Sequence, residues 1–152
     1  MIDERLAQLG IVLPPRNAPA GNYVGLVIDN GVAYSSGHGP HSESGVKRGK
    51  VGTDLSLEEA YDAARATGLA ILSTLRDELG SLDRIERIIK VLGMVNCAPG
   101  FNQTPAVING CSDLLVEVFG DAGKHARSAV GMAELPFDIP VEIELIARLR
   151  TE

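Results

Sequence analysis

Two charged side chains near the C-terminus are the residues of this sequence best suited to chemistry. Arg127 lies between Ala126 and Ser128, and Glu142 lies in the alternating segment Val141–Ala147. A guanidinium is a planar fork of donors that binds a carboxylate, and a carboxyl group can act as general acid or base. Ion pairs at strand ends are also common surface features, so either residue alone would indicate no more than a charged rim.

The elements that position these two residues are predicted to be the last two strands. Alternation puts the apolar residues of the segment on one strand face and the acids Glu142 and Glu144 on the other. Arg127 opens an earlier extended segment, and Pro136 and Asp138 indicate a turn between the two. We expect the two strands to pair as a hairpin that brings the guanidinium and a carboxylate to one patch.

The preceding chain predicts an α+β fold with the order β-β-α-β-α-β-β and two helices on one face of a mixed sheet. Apolar spacing and turn residues predict a first helix ended by Gly10 and a hairpin that turns at Asn30-Gly31. A long helix is then predicted from Ser56 to Gly80, followed by a strand over Arg87–Val95. A further helix is expected to be capped by Thr104 and ended by Gly120. We expect one domain over residues 1–152, with 1–16 as an N-terminal helical extension. The other face of the sheet then needs a cover, which predicts self-association.

Composition narrows the possible partners. The formal net charge is −6 and aromatic residues make up only 4%, which argues against a nucleic-acid partner. Cys97 and Cys111 have no metal or redox spacing, and we expect both to be reduced and buried. Acids at the N-terminus and the lack of a long apolar run predict a cytoplasmic protein without a membrane segment.

Several motifs spread along the chain resemble those of the RidA/YjgF family of enamine and imine deaminases. They are Ala126-Arg127-Ser128 with Leu135-Pro136 and Val141–Ala147, Asn17-Ala18-Pro19-Ala20 with Tyr23, Tyr34-Ser35-Ser36-Gly37, and Ala106-Val107-Ile108-Asn109. The resemblance implies a chorismate-mutase-like fold and a homotrimer with sites in clefts between subunits.

The resemblance also implies roles for the two charged residues. Arg127 would grip a substrate carboxylate, and Glu142 would lie near a water at the reacting carbon. The backbone of Gly37 and Ala129 would complete the carboxylate cradle. Ala129 stands where many members of the family have a cysteine, so a thiol cannot take part.

Three further residues are candidates for substrate binding. Tyr23 matches a tyrosine that lines the family's cleft, although most strand aromatics are simply structural. His38 replaces a frequent glutamine of the family. Asn109 is interpreted as a residue of the cleft or of the layer behind it, against the alternative of an exposed position on a helix.

Together these features predict a hydrolase without metal or cofactor that converts small 2-imino or 2-amino-enoic acids to 2-keto acids and ammonia. One alternative is a regulatory protein that binds a carboxylate metabolite without turnover. Another is ribonuclease or translation inhibition, labels that the family also carries. A zinc site at His38, His41 and Glu43 is disfavoured because a glycine-rich loop holds ligands poorly.

Overall fold

The computed structural model describes residues 1–16, 18–41 and 45–151. It contains three helices and five strands: α1 Ile2–Gln8, β1 Leu26–Asp29, β2 Val32–Ser35, α2 Leu57–Leu79, β3 Ile85–Asn96, α3 Thr104–Phe119, β4 Ala126–Met132 and β5 Val141–Leu149. Single 3₁₀ turns lie at Leu82–Arg84, Gly120–Gly123 and Pro136–Asp138. The element order and the α+β class confirm the prediction.

The sheet has the strand order β1-β2-β5-β3-β4. β3 and β4 run parallel, and β5 is antiparallel to both β2 and β3. The predicted hairpin between the last two strands is therefore wrong, because β3 lies between β4 and β5. The crossover through α3 returns the chain parallel to β3 on its outer side, and the turn at Pro136–Asp138 then carries the chain past the end of β3.

Both long helices cover one face of the sheet, as predicted. Gly93 of β3 lies so close to α3 that a Cβ there would meet Ile108 at 2.6 Å. The two helices also touch closely, since a Cβ on Gly110 would lie 2.0 Å from the carbonyl oxygen of Tyr61. The core therefore lies between the sheet and this helix pair.

The opposite face of the sheet carries exposed apolar side chains. Val27 pairs with Tyr34, Tyr34 pairs with Ile146, and Val130 lies beside Met94, so all of these point away from the helices. Val27 is 53% exposed, Tyr34 44% and Val130 40%. We refer to this surface as the open face.

Local signals explain most element boundaries. Asn30 and Gly31 have φ values of 48° and 74°, which a two-residue hairpin turn requires. Ser56 and Glu59 form the predicted capping box of α2, and Gly80 ends that helix in the left-handed region. The predicted cap of α3 is wrong: Gln103 is the N-cap residue, and the Thr104 hydroxyl instead donates to the Ala129 carbonyl oxygen at 2.9 Å. No helix in the described part of the chain is long and apolar enough to cross a membrane.

Candidate functional site

A cavity of about 360 Å³ opens beside the segment that follows β2. The N-terminal segment, α2, the turn at Pro136–Asp138 and the start of β5 all contribute to its walls. Its lining residues are Arg16, Ala18, Pro19, Ala20, Tyr23, Gly25, Ser36, Gly37, His38, Gly39, Ala70, Thr74, Pro136, Phe137, Ile139 and Glu142. Four of the residues predicted to form the site therefore lie together: Tyr23, Gly37, His38 and Glu142.

Glu142 supplies the acid of this cavity. Val141 and Ile143 on either side of it are buried under the helices, so strand alternation directs Glu142 to the open face. Burial and, to a smaller degree, the neighbouring Glu144 raise the pKa of the Glu142 carboxyl. Among the described residues, no donor or cation pairs with this carboxylate. A partly desolvated carboxyl without a partner is suited to proton transfer.

Gly37 lies directly against that carboxylate. A Cβ at this position would lie 2.7 Å from Glu142 Oε2 and 3.0 Å from its Cδ. The backbone here therefore approaches the acid more closely than any residue with a side chain would allow.

His38 is held on both sides of its ring. Nδ1 lies 2.7 Å from the carbonyl oxygen of Ser36, which can only accept, so Nδ1 carries the proton. Nε2 lies 2.9 Å from the hydroxyl of Thr74 and accepts from it in the neutral imidazole. Burial, partly opposed by the Ser36 hydrogen bond, lowers the pKa of His38. His38 is therefore a neutral wall residue with both ring nitrogens engaged.

The outer rim of the cavity comes from the N-terminal segment. Tyr23 is 51% exposed, and its hydroxyl accepts a hydrogen bond from the backbone N–H of Ala20 at 3.2 Å. Arg16 lines the cavity and pairs with Glu78 of α2 at 2.5 Å. Asn17, which belongs to the same sequence motif, lies outside the described residues.

The facing wall is the turn at Pro136–Asp138. Phe137 and Asp138 adopt left-handed φ values of 58° and 56°, and Phe137 is 70% exposed. The fully buried amide of Asn96 stabilises this turn by donating to Asp138 Oδ1 at 2.9 Å and to the Ile139 carbonyl oxygen at 3.2 Å. The sequence predicted a turn at Pro136 and Asp138, but no local pattern indicated that the turn lines a cavity or that Asn96 supports it.

Arg127 lies elsewhere, on the edge strand β4. Its Nη1 donates to Asn109 Oδ1 at 2.8 Å and to Ser112 Oγ at 3.1 Å, and its Nη2 donates to the Pro105 carbonyl oxygen at 3.4 Å. Within the described chain, these contacts leave one N–H on Nε and one on Nη2 without an acceptor. A guanidinium with free N–H groups can bind the oxygens of a carboxylate.

The predicted site residues thus form two separate groups. Arg127, Asn109 and Ala129 lie where β4 meets α3, whereas Glu142 projects from the open face across β3. The expectation that the guanidinium and the Glu142 carboxylate share one patch within the chain is therefore wrong. It failed together with the hairpin on which it depended.

Neither cysteine is suited to reaction with a substrate. Both are free, and burial raises the pKa of Cys111 to about 12 and also raises that of Cys97. Cys97 is only partly buried, contrary to the prediction. In the described part of the chain, no three His, Cys, Asp or Glu residues are grouped as metal ligands. Glu43, one member of the disfavoured zinc set, is not among the described residues.

Comparison with known proteins identifies the family. The family model described as "YjgF/chorismate mutase-like, putative endoribonuclease" matches residues 3–149. The chain belongs to the RidA/YjgF family. Its chorismate-mutase-like fold is therefore as the sequence motifs implied.

Relatives of this RidA/YjgF chain include Protein TCP17 of Trypanosoma cruzi, 42% identical over 146 residues, with 95% of this chain and 91% of that protein covered. The crystal structure of Atu1372, a protein of unknown function from Agrobacterium tumefaciens, matches with a TM-score of 0.90, 39% identity and coverage of 98% and 92%. A "putative endoribonuclease" from Shewanella oneidensis matches with a TM-score of 0.94, 31% identity and coverage of 98% and 99%.

Proposed function

We propose that this protein hydrolyses small 2-imino acids to 2-keto acids and ammonia in clefts between the subunits of a homotrimer. The observation that carries the proposal is the chemistry of the two groups of residues. One group offers a carboxyl with a raised pKa in a cavity, and the other offers a guanidinium with free N–H donors on Nε and Nη2. A substrate that carries both a carboxylate and a C=N bond needs one of each.

The proposed reaction begins with the carboxylate of the substrate on Arg127, with backbone groups of Gly37 and Ala129 beside it. Glu142 takes a proton from a water as the water oxygen bonds to the imine carbon, and it passes that proton to the imine nitrogen, which gives a carbinolamine. Glu142 then takes the proton of the carbinolamine hydroxyl and passes it to the amino group. The C–N bond breaks as the C=O bond forms, which releases ammonia and leaves the 2-keto acid. Holding the acid, the water and the substrate in register supplies the rate enhancement.

A site shared between subunits would bring together Arg127 and Glu142, which lie apart within one chain. Arg127 lies on an edge strand, where a second copy can approach, and the cavity of Glu142 opens near exposed Tyr23 and Phe137. The open face, with its exposed Val27 and Tyr34, offers the apolar area that such an assembly would bury. Arg127 of one copy would then complete the cavity of the next.

Subunit complementation tests this proposal. Purified Arg127→Ala and Glu142→Gln variants should each fail to accelerate ammonia release from 2-aminoacrylate generated in place from serine. After the two are unfolded together and refolded as a one-to-one mixture, about a quarter of the interfaces would pair an intact Arg127 with an intact Glu142. Activity should therefore return to about a quarter of the wild-type level.

The controls test the shared site and the deaminase reaction separately. Each variant refolded alone should stay inactive, and wild type treated identically should recover full activity. Mixed trimers without restored activity would exclude a site shared between subunits. No acceleration by wild type would exclude the deaminase reaction itself.

The second candidate is a binding protein that uses the same cleft without turnover. The engaged ring nitrogens of His38 and the methyl group of Ala129 favour it, because neither residue supplies a reactive group to the proposed cleft. Saturable binding of 2-oxobutanoate without any acceleration of ammonia release would support it. A third candidate is ribonuclease activity, because some relatives are named endoribonucleases. The formal net charge of −6 argues against RNA binding, and RNA cleavage by the purified protein would support this candidate.

A further inference from the structure

A chain of hydrogen bonds runs behind Arg127, away from the two N–H groups that it leaves free. Arg127 Nη1 lies 3.1 Å from Ser112 Oγ, and Ser112 Oγ lies 2.9 Å from His125 Nε2. His125 Nδ1 lies 2.6 Å from the carbonyl oxygen of Gly123. All of these contacts are partly buried, which strengthens each hydrogen bond relative to one in water.

The donors of this chain all point the same way. The Gly123 carbonyl can only accept, so His125 Nδ1 carries the proton and Nε2 of the neutral ring is an acceptor. Ser112 then donates its hydroxyl hydrogen to Nε2, and its lone pairs face the Arg127 guanidinium. The direction is fixed at its far end by a main-chain group, so the Ser112 oxygen cannot turn its hydrogen towards Arg127 without losing a bond.

We propose that Ser112 and His125 are positioning residues that set the orientation of the Arg127 guanidinium for a carboxylate. This inference rests on the proposed role of Arg127 as the carboxylate anchor. Nη1 has two hydrogens, and Asn109 and Ser112 take one each. With both taken, and with Nη2 donating to the Pro105 carbonyl oxygen, the guanidinium is held in one orientation, which also fixes the direction of the remaining N–H groups on Nε and Nη2.

Loss of the Ser112 hydroxyl frees one Nη1 hydrogen, so that only the bond to Asn109 and the longer bond to the Pro105 carbonyl oxygen at 3.4 Å still hold the guanidinium. A hydrogen bond to a charged group corresponds to roughly a 10- to 150-fold change in an equilibrium constant, and only part of it is lost here because Arg127 keeps its bonds to Asn109 and Pro105. Ser112→Ala should therefore raise the Kd for 2-oxobutanoate about fivefold. In turnover it should raise KM by a similar factor and change kcat little, because the carboxylate is held equally in the ground and transition states.

The chain offers conservative replacements at both positions. Ser112→Thr keeps the hydroxyl and should restore most of the binding lost in Ser112→Ala. His125→Leu should weaken binding as Ser112→Ala does, whereas His125→Gln can still accept from Ser112 and should bind more tightly than His125→Leu. The control is Thr67→Val, which removes a buried hydroxyl on α2 that donates to the Ala63 carbonyl oxygen at 2.8 Å and is not among the hydrogen-bond partners of Arg127.

Calorimetry with 2-oxobutanoate and a double-mutant cycle decide the question. In an Arg127→Ala background, Ser112→Ala should have no further effect on Kd. An equal weakening in both backgrounds, or an unchanged Kd in Ser112→Ala, would overturn the inference.

A second measurement needs no ligand. In ¹⁵N spectra of wild type, the Nη groups of Arg127 should give separate signals because their rotation is hindered, and these signals should merge in Ser112→Ala and persist in Ser112→Thr. If wild type binds no keto acid, the proposed function fails, and these spectra alone decide the positioning role. Identical Nη rotation in wild type and Ser112→Ala would overturn it.

Discussion

Replacement of Gly37 by alanine tests whether the position of the Glu142 carboxylate limits the reaction. The new Cβ would lie 2.7 Å from Glu142 Oε2, whereas ordinary contacts begin at 3.4 Å. The carboxylate must therefore retreat by about 0.7 Å. Gly37 is not among the residues with positive φ, so its backbone accommodates alanine without strain.

The size of the effect follows from that displacement. A misplacement of about 1 Å in a reacting group can cost about a hundredfold in rate, so about 0.7 Å should cost about 10- to 100-fold in kcat/KM, or roughly 1.4–2.7 kcal/mol in the barrier. Keto-acid release from 2-aminoacrylate measures this loss. The midpoint of urea unfolding should change little, because the Glu142 side chain can move outward into the cavity.

A double-mutant cycle provides the control. In a Glu142→Ala background the carboxylate is gone, so Gly37→Ala should cause almost no further loss. Gly39→Ala is the matched variant, since its Cβ would meet the flexible end of Ile139 at 3.0 Å and not the acid. An equal loss of activity from Gly37→Ala with and without the Glu142 carboxylate would show that the position of this carboxylate does not limit the reaction.

Three further outcomes follow from burial and packing. The pKa of Glu142 in the folded protein is raised above its usual 4.5, so the folded state holds this proton more tightly than the unfolded state does. Wild type should therefore lose stability relative to Glu142→Gln as pH rises from 4.5 through the folded pKa, measured as the free energy of urea unfolding at each pH. Parallel plots of this free energy against pH for the two proteins would contradict the prediction. Cys111, whose pKa is about 12, should resist iodoacetamide in the native protein while partly buried Cys97 reacts slowly, as mass spectrometry would show; equal labelling would contradict this. Gly110→Ala should lower the free energy of unfolding by more than about 3 kcal/mol, because its Cβ would lie 2.0 Å from a backbone oxygen of α2; a change below about 1 kcal/mol in urea titration would argue against this close contact.

Most of the fold was predictable because its signals are local. The Asn30-Gly31 turn, the capping box at Ser56 and the alternation of Val141–Ala147 each depend on a few neighbouring residues. The sheet order was harder, because proline and aspartate between two strands predict a turn but do not say whether those strands pair. Here the turn passes over the end of β3 and does not close a hairpin.

The candidate site shows the same limit. The residues of each group were found from motifs, but their separation onto two faces of the sheet depends on the pairing of β3 with both β4 and β5. Asn96 and Ser112 were missed because each acts on residues distant in sequence, at Asp138 and Arg127. No periodic or turn pattern marks such contacts.

The position of β5 has a consequence for how the sheet forms. It pairs with β2 on one side and with β3 on the other, so the last of the five strands to be synthesised lies at the centre of the sheet. Until β5 arrives, the β1–β2 hairpin and the β3–β4 pair have no strand to connect them. A nascent chain therefore exposes two separate sheet fragments with apolar faces, and completion of the fold must wait for contacts across most of the sequence.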